Sequence, residues 1–277
     1  MLERPRGRVN AALPDPPRLT SAAPASISAR TLPTSRFPMI RKFLNRIHEA
    51  EKRWSASYGT DISTPRGRRQ AFWHFHISDH GALRVLWSNL FQIAPGVWRS
   101  NQPSAGRLGR YRRMGIRTVL NLRGRDRYSY YLFEREAAER LGIEIIDIKI
   151  YARSLVPAAT LLELLDIFDR IERPFVMHCK SGADRAGLAS ALWLLHVEGR
   201  PVAEAQRQLH WRYAHLSSTR TGILDHLLRA YATDCAADPM PVRDWIATRY
   251  DPVALTASFE SRGKTPALPP PPGRPAR

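Results

Sequence analysis

One short segment of the chain combines residue types and a spacing that suit chemistry on a phosphate group. Cys179 ends an apolar run, and Arg185 follows six positions later, across a loop that contains Gly182. A loop of this length can wrap once around a tetrahedral anion, with the thiol beneath the phosphorus and the guanidinium on two oxygens. The positive surroundings favour the thiolate, and a thiolate in line with a phosphate ester is an activated nucleophile. The spacing therefore predicts phosphoryl transfer to Cys179, with Arg185 binding the phosphate.

The elements on either side of this loop are those that form an anion site. Residues 174–179 have the pattern of a short buried strand, and residues 185–198 that of a helix. A helix that begins directly after a short Gly-containing loop offers free backbone N–H groups and the positive end of its dipole. We expect these N–H groups to hold the phosphate oxygens. The predicted phosphate-binding loop consists of Lys180, Ser181, Gly182, Ala183, Asp184 and Arg185.

Before the loop, strand patterns alternate with helical spacing, and after it nearly every segment has helical spacing. The predicted strands span residues 97–100, 116–122, 143–150 and 174–179, and the helices between them span 108–114, 134–141 and 158–172. The predicted later helices span 185–198, 201–213, 221–232, 241–248 and 252–260. This order predicts an α/β fold, with a mostly parallel sheet flanked by helices and a helical C-terminal extension. Ligands of such sheets bind beyond the carboxyl ends of the strands, where Cys179 falls.

The loop also carries a family resemblance. His178-Cys179-x5-Arg185, with Gly182 inside, resembles the signature of the cysteine-dependent protein tyrosine and dual-specificity phosphatase superfamily. Residues 97–103 (VWRSNQP) and 118–124 (TVLNLRG) resemble stretches that precede this signature in atypical bacterial, plant and fungal members. The resemblance covers about residues 95–215. It implies a tyrosine/dual-specificity phosphatase-like fold, a phosphocysteine intermediate, no metal or organic cofactor, and a supporting role for His178 through hydrogen bonds.

The general acid departs from the usual family pattern. Family members usually present an aspartate about 30 residues before the cysteine, on a mobile loop, to protonate the leaving oxygen. Here the corresponding residues 151–157 contain no carboxylate. Asp184 is the favoured candidate, because its place directly before Arg185 resembles the loop of myotubularin-type and some bacterial lipid phosphatases; it could also cap the following helix. Asp147, inside a predicted strand, is the alternative acid, and Asp126 is a third option.

Ala186 is a second departure from the pattern. The family usually has Ser or Thr directly after the arginine, and that hydroxyl donates to the sulfur when water cleaves the phosphocysteine. Alanine has no such donor, so we expect slow turnover with an accumulating phosphoenzyme, and a faster second step in Ala186→Thr. The alternative to a phosphatase is a catalytically weak or inactive pseudophosphatase that binds phosphate groups without releasing phosphate.

The charge of the chain suggests the class of substrate. Lys and Arg exceed Asp and Glu by 18, which favours anionic partners. Arg123, Arg125 and Arg153 lie on predicted loops at the edge of the sheet that holds Cys179 and could bind substrate; a solvated basic face is the alternative. We expect a phosphorylated protein, phosphoinositide or inositol phosphate as substrate, and weak association with anionic membranes. Specific nucleic-acid binding is not expected, because no helix-turn-helix or RNA-module signature is present.

Composition divides the chain into four segments. Residues 1–38 and 263–277 are rich in proline and basic residues and are expected to be disordered tails. Residues 39–94 are expected to form an N-terminal helix and a lead-in rich in aromatics and histidines, and residues 95–262 the phosphatase-like domain with its C-terminal helices. Histidines at 74, 76 and 80 could bind a metal, although a half-buried strand is the simpler interpretation, and we expect no metal. No apolar run reaches the roughly 18 residues needed to span a bilayer, and we expect a cytoplasmic protein that associates at most peripherally with membranes.

Overall fold

The computed structural model describes residues 59–79 and 87–261. The predicted tails at 1–38 and 263–277, the first part of the segment 39–94 up to residue 58, and His80 lie outside the described residues. Within the described ranges, no helix is long and apolar enough to cross a lipid bilayer. The division of the chain into four segments stays a prediction.

The centre of the fold is a five-stranded, mostly parallel sheet. Its strands are β1 (Phe91–Ala94), β2 (Val97–Asn101), β3 (Thr118–Asn121), β4 (Glu144–Asp147) and β5 (Phe175–Cys179). Their order across the sheet is β1-β2-β5-β3-β4, and only the pairing of β1 with β2 is antiparallel. The predicted sheet is confirmed, with β1 as an additional strand at its edge.

β5 lies in the middle of the sheet, and all five of its residues are buried. Asn101 of β2 pairs with Cys179, and Asn121 of β3 pairs with His178, so three strands end together at one edge. A strand buried on both faces reads as a continuous apolar run, which explains why the sequence PFVMHC predicted it. The register places Cys179 at the carboxyl end of the central strand.

Helices cover both faces of the sheet. They are α1 (Pro65–Trp73), α2 (Ala105–Arg113), α3 (Ser129–Leu141), α4 (Ala158–Arg170), α5 (Asp184–His196), α6 (Val202–Gln206), α7 (Ile223–Ala237), α8 (Val242–Thr248) and α9 (Pro252–Glu260). Side chains alternate along β5, so that Phe175 and Met177 pack in the larger core with Cys179, whereas Val176 packs in the smaller core with residues of α2 and α3. The nucleophile candidate therefore faces the side of the sheet that carries the C-terminal helices.

Residues 71–79 form no half-buried strand, so that interpretation of the histidines is wrong. Thr64 caps α1 by accepting a hydrogen bond from the Gly67 N–H at 3.0 Å, and a π-helical turn, His74–Ser78, continues from the helix. His74 is buried and its Nδ1 lies 2.8 Å from the Ser129 hydroxyl. The ring is therefore used in packing the lead-in against α3.

The predicted helix at 201–213 is also interrupted. α6 ends at Gln206, and a short 3-10 turn, Trp211–Tyr213, follows. In a continuous helix the carbonyl of Gln208 would accept from an N–H four residues later. Here that carbonyl accepts from Arg99 of β2 at 2.7 Å, and the Tyr213 ring stacks on the same guanidinium at 3.9 Å. A buried cation from the sheet thus breaks a helix that local propensity favours.

Candidate active site

The predicted phosphate-binding loop borders a cavity of about 670 Å³. Cys179, at the end of β5, is almost fully buried. The cavity is lined by Trp87, Tyr151, Ala152, Arg153, Ser154, Lys180, Ser181, Asp184, Arg185 and Thr221. Four of these belong to the loop, and four come from the segment after β4 that takes the place of the family's usual acid loop. The structure thus brings the loop, the basic Arg153 and two aromatic side chains together.

Gly182 allows the loop to pack directly on the end of β2. Its φ is +73°, a conformation that favours glycine. A Cβ at this position would lie 2.7 Å from the carbonyl carbon of Ser100 and 2.8 Å from the backbone nitrogen of Asn101. Because the close neighbours are backbone atoms, they cannot turn aside as a flexible side chain could. A side chain here would push the loop away from the sheet.

Four successive carbonyl groups of the loop are bound from the sheet side. The Lys180 carbonyl accepts from the Gln102 N–H at 3.2 Å, and the Ser181 carbonyl from the Asn89 amide at 3.0 Å. The carbonyls of residues 182 and 183 both accept from the Arg99 guanidinium. In a trans peptide, the carbonyl and the following N–H point in opposite directions. The N–H groups of residues 181–184 therefore point away from these donors, as an anion-binding loop requires.

Arg99 is the buried support of the loop. It is completely inaccessible, and its Nη2 donates to the Gly182 carbonyl at 2.7 Å and to the Ala183 carbonyl at 3.0 Å. Burial lowers the pKa of Arg99 to about 10. This value is still well above neutral pH, and the guanidinium therefore stays charged. Sequence reasoning assigned Arg99 no role, although an arginine inside a buried strand was a signal.

Arg185 differs from Arg99 in its place at the wall of the cavity. Its side chain lines the cavity, and its Nε is buried without a hydrogen-bond partner in the described part of the chain. A buried N–H donor without a partner is costly, and an anion in the cavity would satisfy it. This is the arrangement expected of a phosphate-binding arginine.

His178 lies in a network beneath the loop. Its Nδ1 is 3.3 Å from the Cys179 carbonyl oxygen, and its Nε2 is 2.8 Å from Oε1 of Glu134, a residue of α3. Both side chains are fully buried, and the angle at the shorter contact lies outside hydrogen-bond geometry. The other Glu134 oxygen accepts a hydrogen bond from the Gln102 side-chain amide. The backbone N–H of Gln102 in turn donates to the Lys180 carbonyl of the loop. This placement suits a supporting residue.

Asp184, the favoured acid, is paired with a histidine that sequence reasoning missed. Its Oδ1 is 2.7 Å from Nδ1 of His215, and Nε2 of His215 is 2.7 Å from Oδ2 of Asp225. Burial by itself lowers the pKa of His215, but the hydrogen bonds to the two carboxylates outweigh burial and raise it to about 9. His215 and Asp225 lie 31 and 41 positions beyond Asp184, and no motif linked them to it.

The alternative acid, Asp147, lies elsewhere. It is not among the described residues that line the cavity, and its Oδ1 accepts from the Asn121 amide at 2.8 Å. Its Oδ2 accepts from the Tyr131 hydroxyl at 2.7 Å and from Arg125 at 3.3 Å. Asp126 is bonded to the Tyr130 hydroxyl. Both carboxylates hold the loop after β3 and the start of α3.

The predicted ring of basic residues divides into two groups. Arg153 and Lys180 line the cavity. Arg123 instead donates to the buried carboxylate of Asp79 at 3.0 and 3.2 Å and stacks on the Tyr130 ring at 3.4 Å. Lys180 Nζ also lies 3.4 Å from Asp79, which therefore connects the lead-in segment to the loop.

Within residues 59–79 and 87–261, no cluster of three or more histidine, cysteine or acidic side chains could hold a metal ion.

Comparison with known proteins agrees with this geometry. Residues 92–222 match the family described as a DSP-PTPase phosphatase fused to NAD+ kinase. This segment belongs to the cysteine-dependent protein tyrosine and dual-specificity phosphatase superfamily, as its signature loop predicts.

Among individual relatives, the dual specificity protein phosphatase TpbA of Pseudomonas aeruginosa (strain UCBPP-PA14) is 27% identical over 113 residues, which are 40% of this chain and 48% of TpbA. The chain thus spans about half the length of the curated relatives it matches.

Two solved structures are also similar. The crystal structure of P. aeruginosa TpbA is 23% identical, with a TM-score of 0.43 over 58% of this chain and 91% of that one. The core catalytic domain of the PP-IP phosphatase Siw14 from S. cerevisiae is 16% identical, with a TM-score of 0.41 over 55% and 95% of the respective chains.

Proposed function

We propose that this protein hydrolyses phosphate monoesters through a phosphocysteine intermediate. The observation that carries the proposal is the Arg185 side chain, which lines the cavity at the loop after Cys179 and whose buried Nε has no hydrogen-bond partner among the described residues. A cation held ready beside a buried thiol supports binding of a phosphate group in front of the sulfur. Membership of the segment 92–222 in a phosphatase superfamily supports the same reaction.

In the first half of the reaction, the Cys179 sulfur forms a bond to phosphorus and the bond from phosphorus to the ester oxygen breaks. Asp184 supplies the proton that the leaving oxygen takes up. In the second half, water attacks the phosphorus, the P–S bond breaks, and the thiolate and free phosphate are released. Arg185 and the loop N–H groups stabilise the charge on the non-bridging oxygens in both transition states.

The cavity suggests which esters could be accepted. Trp87 and Tyr151 present half-exposed aromatic rings, and Arg153 and Lys180 present positive charge beside them. The similar TpbA has been crystallised with phosphotyrosine, and Siw14 is described as a PP-IP phosphatase. We therefore extend the proposal to phosphorylated proteins, inositol phosphates and phosphoinositides. Peripheral association with anionic membranes stays a prediction.

The test is phosphate release from p-nitrophenyl phosphate by the purified chain, with a chelator present. Cys179→Ser should lower kcat by about 10³-fold or more. Cys235→Ser is the matched control, because Cys235 lies in α7 with its sulfur near the Met240 carbonyl, and it should retain the wild-type rate. Release that survives in Cys179→Ser would contradict the proposal.

Ala186 favours a second candidate function, phosphate binding with negligible turnover. Its side chain is buried and carries no hydroxyl that could assist departure of the sulfur. A slow second step would appear as a burst of p-nitrophenol followed by a slow steady state. Ala186→Thr should then raise the steady-state rate by about fivefold, the effect of a hydrogen bond of about 1 kcal/mol. If neither the wild type nor this variant releases p-nitrophenol while both bind phosphate, the binding function is the correct one.

A further inference from the structure

Asp184, His215 and Asp225 form a continuous polar chain at the wall of the cavity. Asp184 is the first residue of α5, His215 follows the 3-10 turn after α6, and Asp225 lies in the first turn of α7. The imidazole is almost fully buried, whereas the side chains of Asp184 and Asp225 are 20% and 15% exposed. Each ring nitrogen lies 2.7 Å from a carboxylate oxygen.

This arrangement holds one proton more than a neutral imidazole between two ionised carboxylates provides. A neutral histidine has one N–H donor and one lone pair, so it would direct its lone pair at one of the two carboxylates. A protonated ring donates to both. The raised pKa of His215 agrees with this reading of the geometry. The pair His215–Asp184 thus stores a proton next to the loop that would hold the phosphate.

Asp184 is also the one carboxylate among the described residues that line the cavity. The segment that would ordinarily supply the acid contributes Tyr151, Ala152, Arg153 and Ser154 to the wall instead. Among the described residues that line the cavity, Asp184 is therefore the one acidic side chain that can pass a proton to the leaving oxygen. The partner from which Asp184 can receive a proton is His215.

We propose that His215 is a positioning residue that supplies, through Asp184, the proton taken up by the leaving oxygen. The inference rests on the proposed phosphatase function. As the Cys179 sulfur bonds to phosphorus and the P–O bond breaks, the Nδ1 proton of His215 moves to the Asp184 carboxylate, and Asp184 passes a proton to the leaving oxygen. His215 ends neutral, and Asp184 and Asp225 end as carboxylates. In the second half, the attacking water loses a proton, which returns through Asp184 to His215.

The experiment compares two aryl phosphates in His215→Gln. The leaving group of p-nitrophenyl phosphate departs without a proton, whereas that of phenyl phosphate needs one. Glutamine can still donate a hydrogen bond to Asp184 but cannot pass on a proton. We expect kcat for phenyl phosphate to fall about 100-fold, the usual size of general-acid catalysis, while kcat for p-nitrophenyl phosphate falls less than about fivefold.

Two further variants secure the result. His196→Gln is the matched control, because the His196 ring lies 2.7 Å from Asp169 at the far end of α5 and lines no part of the cavity; it should leave both substrates unchanged. Asp225→Asn removes the second carboxylate and should reduce turnover of phenyl phosphate by about tenfold, again with little effect on p-nitrophenyl phosphate. It decides the question if His215→Gln does not fold.

The outcomes separate the two proposals. Equal losses with both substrates would show that His215 only supports the structure, and unchanged rates would show that the proton comes from elsewhere; either result overturns the relay and leaves the phosphatase function intact. Absence of any Cys179-dependent release from the folded wild type would overturn the phosphatase function, and the relay with it.

Discussion

Two buried histidines lie at opposite ends of the phosphate-binding loop, and they differ in their surroundings. His178 precedes the cysteine within the central strand and faces one carboxylate, Glu134, which is itself fully buried. His215 faces two carboxylates, both partly exposed, one of which lines the cavity. The first histidine thus connects the loop to the interior of the protein, and the second connects it to the space where substrate would bind. His178 therefore supports the loop at one end, and His215 holds a proton beside the cavity at the other end.

The largest effect should come from the interior side. Glu134→Ala leaves the His178 ring and the Gln102 amide buried without their acidic partner, so we expect a loss of about 3 kcal/mol or more in the free energy of unfolding. Glu136→Ala is the matched control on the same helix, because Glu136 pairs with Arg68 at the surface, and it should cost less than about 1 kcal/mol. Urea unfolding measures both. Equal losses would show that the buried Glu134 stabilises the fold no more than a surface carboxylate does.

A comparable but pH-dependent effect should come from His215. Its pKa is raised from 6.5 to about 9 in the folded protein, so its contribution is fully present below pH 6.5 and is lost as the pH rises through 9. A shift of this size corresponds to about 3 kcal/mol. The difference in unfolding free energy between wild type and His215→Gln should therefore be large at pH 6 and should shrink towards pH 9.5. A difference that does not change with pH would mean that the ring is held by packing alone.

The loop between the histidines should show the smallest loss of stability. Gly182→Ala combines a strained backbone with a clash against Ser100, and we expect it to cost about 2 kcal/mol. Gly199→Ala is the matched control, since Gly199 also has a positive φ, +59°, but its added methyl group would meet open space. It should cost only about 1 kcal/mol. Thermal unfolding gives both values, and equal costs would show that the contact between loop and sheet is unimportant.

Sequence reasoning reached the fold and the loop because both are encoded in local patterns. The apolar run before Cys179, the glycine within the loop and the amphipathic spacing of α4 each lie within a few residues, and their predicted boundaries agree with the structure to within two or three positions. The predicted strand at 143–150 is shorter, because after Asp147 the chain keeps only an isolated bridge between Arg123 and Lys149.

The partners of the loop could not be predicted in the same way. Arg99 reaches carbonyls more than 80 positions away, and Asp184 meets a histidine 31 positions later. Which side chains meet across such distances depends on how the helices pack, and a single sequence carries no local pattern that predicts this packing. Arg123 was predicted to bind substrate because of its charge and its place on a loop at the edge of the sheet. In the structure it pairs with the buried Asp79, which lies 44 positions earlier, and no local pattern linked the two residues.

Arg99 has a further consequence for how the chain can be divided. One side chain holds the sheet, the phosphate-binding loop and the Gln208 segment together. A fragment that stopped at the end of α6 would keep the signature residues but would lose the two Gln208 acceptors of this guanidinium and the Tyr213 ring that stacks on it. The segment up to Tyr213 is therefore part of the smallest unit that preserves the contacts of Arg99 with the loop, although the signature itself ends at Arg185.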